Sequence, residues 1–217
     1  DGSEGKMCGN GIRCVGKFLY DHGMVDINEK DEITIETLSG IKKLKAYTSG
    51  GKVNRLRVDM GKAILEPKEI PVVLDGDKVV DRPVEIAGKN YNITCVSMGN
   101  PHCVVFMDEI DNLDIETVGP EFENDKLFPE RVNTEFVTVL DDHTIKMRVW
   151  ERGSGETWAC GTGACAVAVA ACENGFCKKG EDIKIKLKGG DLIINYTDET
   201  VYMTGNAEKV FEGEVEV

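Results

Sequence analysis

Cys8 and Cys160 each open the same short phrase, Cys8-Gly9-Asn10-Gly11 and Cys160-Gly161-Thr162-Gly163, about 150 residues apart. A cysteine at the start of a helix faces unpaired backbone N–H groups and the positive end of the helix dipole. Both favour the thiolate and lower the thiol pKa. Such a thiolate can act as a base. Glycines 9, 11, 161 and 163 strip side chains from the two turns, so the same N–H groups can also hold a carboxylate. Two opposed copies of this unit would let one thiolate remove a proton from a carbon while the other thiol delivers one to the opposite face. The carboxylate held at the helix ends would support the developing carbanion. Racemisation or epimerisation beside a carboxylate is the chemistry these residues suggest.

The elements that must position the thiols are duplicated with them. MCGNGIRCVGKFLYDHGM, from Met7, and ACGTGACAVAVAACENGF, from Ala159, align without a gap, with Gly23 and Gly175 at matching places. Both run on into strand-like stretches, Ile33 to Leu38 and Ile183 to Leu187, and Val58–Ala63 echoes Tyr202–Ala207. The first helix is predicted from Gly9 to Asp21 with Ile12, Val15, Phe18 and Leu19 as its apolar face, and the second from Gly161 to Glu173. The second has no polar face, which predicts a buried helix. Further strands are expected at 56–60, 92–97, 103–107, 134–140, 144–151, 191–196 and 201–203, between turns at Ser49-Gly50-Gly51, Asp75-Gly76-Asp77 and Gly189-Gly190. The expected fold is α+β: two homologous domains from an internal duplication, each a mixed, barrel-like sheet wrapped around a central hydrophobic helix. The first would comprise residues 1–60 plus 206–217 and the second 61–205. The second copy has strands between about 70 and 150 with no equivalents in the first, and the chain opens on Asp1-Gly2-Ser3. An N-terminally truncated first domain is therefore expected.

The chain has 217 residues, 41% hydrophobic and 30% charged, and a formal charge of −13. That charge argues against sequence-independent nucleic-acid binding and against an anionic membrane surface, both of which need lysine and arginine. The longest apolar run, Ala164 to Cys172, is too short to span a bilayer, so no membrane association is expected. Eight cysteines could mean disulfides, a metal or free thiols. No secretion signal is evident, and the Cys-x5-Cys and Cys-x4-Cys spacings differ from zinc knuckles. Free thiols in a reducing cytoplasm and no bound metal are the working expectation. No lysine stands in a context that suggests pyridoxal phosphate, and no dinucleotide or phosphate-loop motif occurs, so no cofactor is expected.

Taken together, DGSEGKMCGNGIRC, MGNPHCV, VNTEFV and WERGSGETWACGTGACA resemble the diaminopimelate epimerases. The resemblance covers essentially all of the chain. The proline racemases and hydroxyproline epimerases of the same fold carry His where this chain has Asn10, so CGNG favours the diaminopimelate branch. The resemblance implies cofactor-independent epimerisation of LL-2,6-diaminopimelate to the meso isomer, in lysine and peptidoglycan precursor biosynthesis, by a cytoplasmic enzyme that is commonly a homodimer. It implies acid/base roles for Cys8 and Cys160. Gly9, Asn10, Gly161 and Thr162 would hold the reacting carboxylate, and Asn100 and Asn133 would bind substrate. Glu151 and Arg152 would read the distal ammonium and carboxylate, Arg by forked pairing. His102 would sit beside the catalytic centre. Two early polar substrate contacts of the family, and an asparagine before the DGS phrase, have no counterpart in this sequence.

Plainer readings stand beside these. Cys14, Cys95, Cys103, Cys165, Cys172 and Cys177 read as small buried apolar groups. His102, after Pro101 in an expected turn, could be an ordinary surface or core histidine. Glu151 and Arg152 could form a solvated ion pair, and the acidic 108–125 stretch reads as a solvated loop and helix. A racemase for proline or another amino acid, and an inactive chain that keeps only binding, are the alternative functions.

Overall fold

A computed structural model describes residues 8–27, 31–38 and 40–215. The DGSEGKM run that opens the sequence lies outside them.

Both cysteine phrases start helices of equal length, α1 (Gly9–Asp21) and α3 (Gly161–Glu173). Cys8 and Cys160 are the N-caps, in nearly the same extended conformation, with φ −129° and ψ 104° for Cys8 and φ −125° and ψ 111° for Cys160. Each helix ends two residues before a glycine in the left-handed region, Gly23 at φ 65° and Gly175 at φ 79°, a backbone that side-chain-bearing residues rarely adopt. Each is followed by an antiparallel three-strand meander. After α1 come β1 (Glu32–Thr37), β2 (Gly40–Ser49) and β3 (Lys52–Asp59); after α3 come β10 (Asp182–Leu187), β11 (Gly190–Tyr196) and β12 (Val201–Asn206). β3 and β12, the strands that echo one another in sequence, pair antiparallel with Val58 opposite Met203. An antiparallel pair of equivalent strands is the arrangement a local two-fold produces, so the duplication is visible in the sheet itself.

Between the copies lie β4 (Arg82–Ile86), β5 (Lys89–Ser97), β6 (Pro101–Phe106), α2 (Ile115–Glu123), β7 (Asn133–Asp141), β8 (Thr144–Glu151) and β9 (Gly155–Thr157). The twelve strands among the described residues form one mixed sheet in the order β1-β2-β3-β12-β11-β10-β8-β7-β6-β5-β4, with β9 on β8. The sheet wraps around α3, which packs on β5, β6, β7, β10, β11 and β12. Every residue from Gly161 to Ala171 is buried, as its uniformly apolar surface requires. A second core lies on the other side of β5–β7, where α2 lays Ile115, Val118 and Phe122 over Phe136; the two phenylalanine rings meet edge-on at 5.4 Å.

Three sequence expectations change. α1 does not bury the stripe through Val15 and Phe18, which are 46% and 51% exposed; its buried side is Gly9, Ile12, Arg13 and Gly16. Gly16 lets the helix approach Leu44 and Leu56 so closely that a Cβ there would lie 2.9 Å from a methyl of each. Cys14, expected inside, is exposed on α1, while Cys95, Cys103, Cys165 and Cys177 are buried and Cys172 is half-buried. The 108–125 stretch contains a helix, but one with an apolar face sealed against the second core rather than a solvated one.

Candidate active site

The two helix N-termini meet. A Cβ built on Gly161 would stand 3.5 Å from the Cα of Gly9, and Met203 of β12 fills the angle between them, its Sδ 3.2 Å from that same position. The Cys-Gly turns therefore face a common region across the line where the two copies join. The tight neighbour at both glycines is the Met203 side chain, whose Cε would lie 2.7 Å from a Cβ on Gly9, so a side chain at either position would have to displace that methionine.

The two sulfurs have different surroundings. Cys8 is exposed, and its Sγ accepts the Gly11 N–H at 3.3 Å, the N-cap bond expected at the start of a helix. Cys160 is 5% exposed. Burial pushes its thiol well above the ordinary cysteine range, and the carboxylates of Glu151 and Glu135 push the same way; the Thr162 hydroxyl and the Gly163 N–H oppose them. This corrects the expectation that the helix start would lower the pKa of both thiols. At Cys160, loss of water and two nearby anions outweigh the helix end. The resting protein thus holds Cys160 as the thiol, an acid. Burial also raises Cys165 and Cys172 to about 12 and Cys177 to about 11, so these thiols are inert at neutral pH.

Beside Cys160 the sheet supplies a polar cluster. Its Sγ is 3.6 Å from Thr162 Oγ1, which accepts from the Asn100 amide at 3.3 Å. Asn100 Oδ1 is 3.1 Å from His102 Nε2, and His102 Nδ1 is 2.7 Å from Glu135 Oε1. His102 lies in strand β6, not in a turn, and it and Glu135 are wholly buried. Burial raises the Glu135 carboxyl's pKa, with the His102 ring opposing and Glu151 adding to the shift.

The remaining sequence candidates form the rim. Asn133 donates to the Pro101 carbonyl at 2.9 Å and accepts the Arg152 N–H at 3.1 Å, so its amide ties β6 to the turn after β8. Arg152 donates to the Glu130 carbonyl at 2.8 Å, and Glu151 accepts from the Thr157 hydroxyl. The two residues do not pair with each other but are held separately. Asn10 lines a cavity of about 330 Å³ together with Ala159, the neighbour of Cys160, and Arg13.

Glu123 was not singled out from the sequence, yet it builds this turn. Buried on α2, it accepts from Trp150 Nε1 at 2.7 Å, from the Gly153 N–H at 2.9 Å and from Arg131 at 3.0 Å, and so clamps both flanks of Glu151-Arg152. Glu123→Gln keeps the shape but leaves one acceptor for three donors. It is expected to cost about 1–3 kcal/mol of stability and to raise KM several-fold with a smaller change in kcat, read by urea unfolding and steady-state kinetics. Wild-type values of both would refute the clamp.

Comparison with known proteins finds relatives of the whole chain. A family model described as diaminopimelate epimerase matches residues 1–66 and 94–210. The diaminopimelate epimerase of Agathobacter rectalis is 51% identical over 100% of this chain and 78% of its own length. That of Acetivibrio thermocellus is 53% identical over 100% and 76%. Among solved structures, a probable proline racemase from Agrobacterium radiobacter with bound carbonate matches 93% of this chain and 65% of its own, with a TM-score of 0.70 at 17% identity. A phenazine biosynthesis protein of the PhzF family from Bacillus anthracis matches 100% and 78%, with a TM-score of 0.63 at 17% identity. At such identities the last two speak to fold alone.

Proposed function

The chain belongs to the diaminopimelate epimerase family, and from that premise we infer that Cys8 and Cys160 are the base and acid of a two-thiol inversion. The enzyme is an isomerase that epimerises 2,6-diaminopimelate on the route to lysine. In the proposed mechanism one sulfur removes the α-hydrogen of an L centre as a proton. The opposite thiol then protonates the carbanion on its other face, giving the meso isomer from the LL isomer. The reaction leaves the two sulfurs with exchanged protonation states and runs on them without a cofactor.

The single observation that carries this reading is the meeting of two cysteine-capped helix starts, with Gly161 against Gly9. Backbone N–H groups of Gly9, Asn10, Gly161 and Thr162 are the proposed cradle for the reacting carboxylate, where two helix dipoles oppose the charge that builds up on it. Asn100 and Asn133 flank this cradle, and Glu151 and Arg152 take the distal ammonium and carboxylate. Under this reading residues 1–60 with 206–217 form one half of the catalytic unit and residues 61–205 the other. Among the described residues no helix is long and apolar enough to cross a membrane. The charge of −13 weighs against a nucleic-acid partner, and a cytoplasmic homodimer acting on a small molecule is proposed from the family resemblance alone.

Incubation with LL-diaminopimelate in deuterated water is expected to give the meso isomer with deuterium at the inverted carbon, read by NMR. Turnover of proline with none of diaminopimelate would move the assignment to the proline racemases. Ligand binding without exchange would mean that the chain retains only recognition.

A further inference from the structure

Glu135 is wholly buried on β7, and the inversion mechanism does not use it. It nevertheless begins a hydrogen-bonded chain that ends on the Cys160 sulfur: Glu135 to His102 at 2.7 Å, His102 to Asn100 at 3.1 Å, Asn100 to Thr162 at 3.3 Å and Thr162 to Sγ at 3.6 Å. Resting on the reading of Cys160 as a reacting thiol, we propose that Glu135 is a positioning residue. Through His102, Asn100 and Thr162 it sets whether the Thr162 hydroxyl donates to the Cys160 sulfur or accepts from it.

Counting hydrogens along the chain gives two directions. The bond between Glu135 and Nδ1 carries one hydrogen in either case. With a second proton on Nε2, the ring donates to Asn100 Oδ1, the Asn100 amide donates to Thr162, and the hydroxyl hydrogen is free to donate to Sγ. That bond favours the thiolate. With Nε2 bare, the ring must accept. Asn100 then turns its amide by half a rotation to donate to Nε2, its oxygen accepts from Thr162, and the hydroxyl oxygen is left to accept from the Cys160 S–H. That arrangement favours the thiol. No proton travels along the chain: the amide and hydroxyl reorient, while Nε2 and Sγ exchange protons with substrate and solvent. Imidazolium with thiolate, and neutral ring with thiol, carry the same total charge. The thiolate can therefore form in a site that penalises net charge.

Two details of the packing point the same way. A Cβ on Gly163 would lie 2.6 Å from Glu135 Oε1, so a glycine in the first turn of α3 is what allows the carboxylate to sit there. The other oxygen, Oε2, has no hydrogen-bond partner among the described residues. A buried carboxylate oxygen without a protein partner costs stability, and its retention calls for an explanation. The titratable groups acting on this cluster are Glu151 from β8, Cys160 from α3 and Cys103 from β6.

The test is the rate at which iodoacetamide labels Cys160, followed peptide by peptide by mass spectrometry across a pH series. Glu135→Gln keeps the shape but removes the charge that holds the second proton on the ring, and Thr162→Val removes the hydroxyl. Each is expected to slow labelling of Cys160 at pH 8 by about tenfold, one unit of thiol titration, with Cys8 labelled as in the wild type. A purely Coulombic role predicts the reverse for Glu135→Gln, because removing a nearby anion favours the thiolate. Labelling of Cys160 in Glu135→Gln at or above the wild-type rate, or no change in Thr162→Val, overturns the proposal. Should Glu135→Gln unfold, which joint labelling of Cys95, Cys103 and Cys165 would reveal, Thr162→Val decides between the same two results. The readout needs no turnover, so failure of the epimerase assignment would appear in the deuterium experiment and not here.

Discussion

Cys8→Ala and Cys160→Ala are each expected to lower epimerisation by about 10²–10⁴-fold, the range for losing a positioned acid or base, while each retains hydrogen exchange on one stereoisomer only. The reason is geometric. Each sulfur addresses one face of the α-carbon, so the surviving thiol can still remove and return a proton on its own side, with configuration kept. In deuterated water one variant should lose the α-proton NMR signal of the L centre and the other that of the D centre. Neither substitution should unfold the protein. Cys8 is exposed, and removing the Cys160 sulfur from its nearly closed site leaves a cavity smaller than one methylene pair, worth about 1 kcal/mol. Exchange of both isomers by the same single variant would mean that one base serves both faces, and the two-thiol mechanism would fail.

The asymmetry between the two sulfurs adds a direction to that experiment. Burial and two carboxylates hold Cys160 as the thiol, whereas Cys8 is open to solvent and already accepts a backbone N–H. The resting enzyme is thus prepared to give a proton at Cys160. Each turnover inverts this preparation, and the reverse reaction needs the buried thiolate, whose formation the chain from Glu135 would assist.

How much of this was legible in the sequence depends on whether a residue's surroundings are local. The helices α1 and α3 could be bounded from sequence because their signals are adjacent in the chain: a cysteine-glycine start, an apolar run and a glycine that takes positive φ. Strand β2 was missed because its lysines, at 42, 43 and 45, hide the inward pair Leu44 and Ala46. Glu135 was hidden for a different reason, whereas His102 was placed beside the catalytic centre by the family resemblance and not by its local pattern. A glutamate within Asn133-Thr134-Glu135-Phe136 reads as the outward half of an alternating strand. In the fold, β7 is central, with α3 on one face and α2 on the other, so both halves of the alternation are buried. His102 is on the neighbouring central strand. Glu123 was invisible because its partners, Trp150 and Gly153, are set by tertiary packing. Polar residues on doubly covered strands and clamped turns can be found only once the layers are known.

Gly119→Ala tests that layering most sharply, and two opposing effects decide its sign. Gly119 lies inside α2, where alanine is the better helix former by about 1 kcal/mol. Against this, its Cβ would lie 2.3 Å from Cδ2 and 2.4 Å from Cγ of Trp150, inside any real contact distance. The indole is rigid and cannot retreat freely, because its Nε1 donates to Glu123 and its far edge covers Gly155. Overpacking against such a neighbour costs about 1–3 kcal/mol and sometimes more, so the helix preference should lose. The expected result is a net destabilisation of about 2 kcal/mol by urea unfolding, with a raised KM, because a displaced Trp150 moves the Glu151-Arg152 turn. Gly16→Ala is the informative comparison. The atoms it meets, 2.9 Å away, are the terminal methyls of Leu44 and Leu56, which can rotate aside. There the two effects should nearly cancel. If Gly119→Ala proves as mild as Gly16→Ala, Trp150 does not wedge α2 against β8, and the rim of the site is held by something other than the clamp described here.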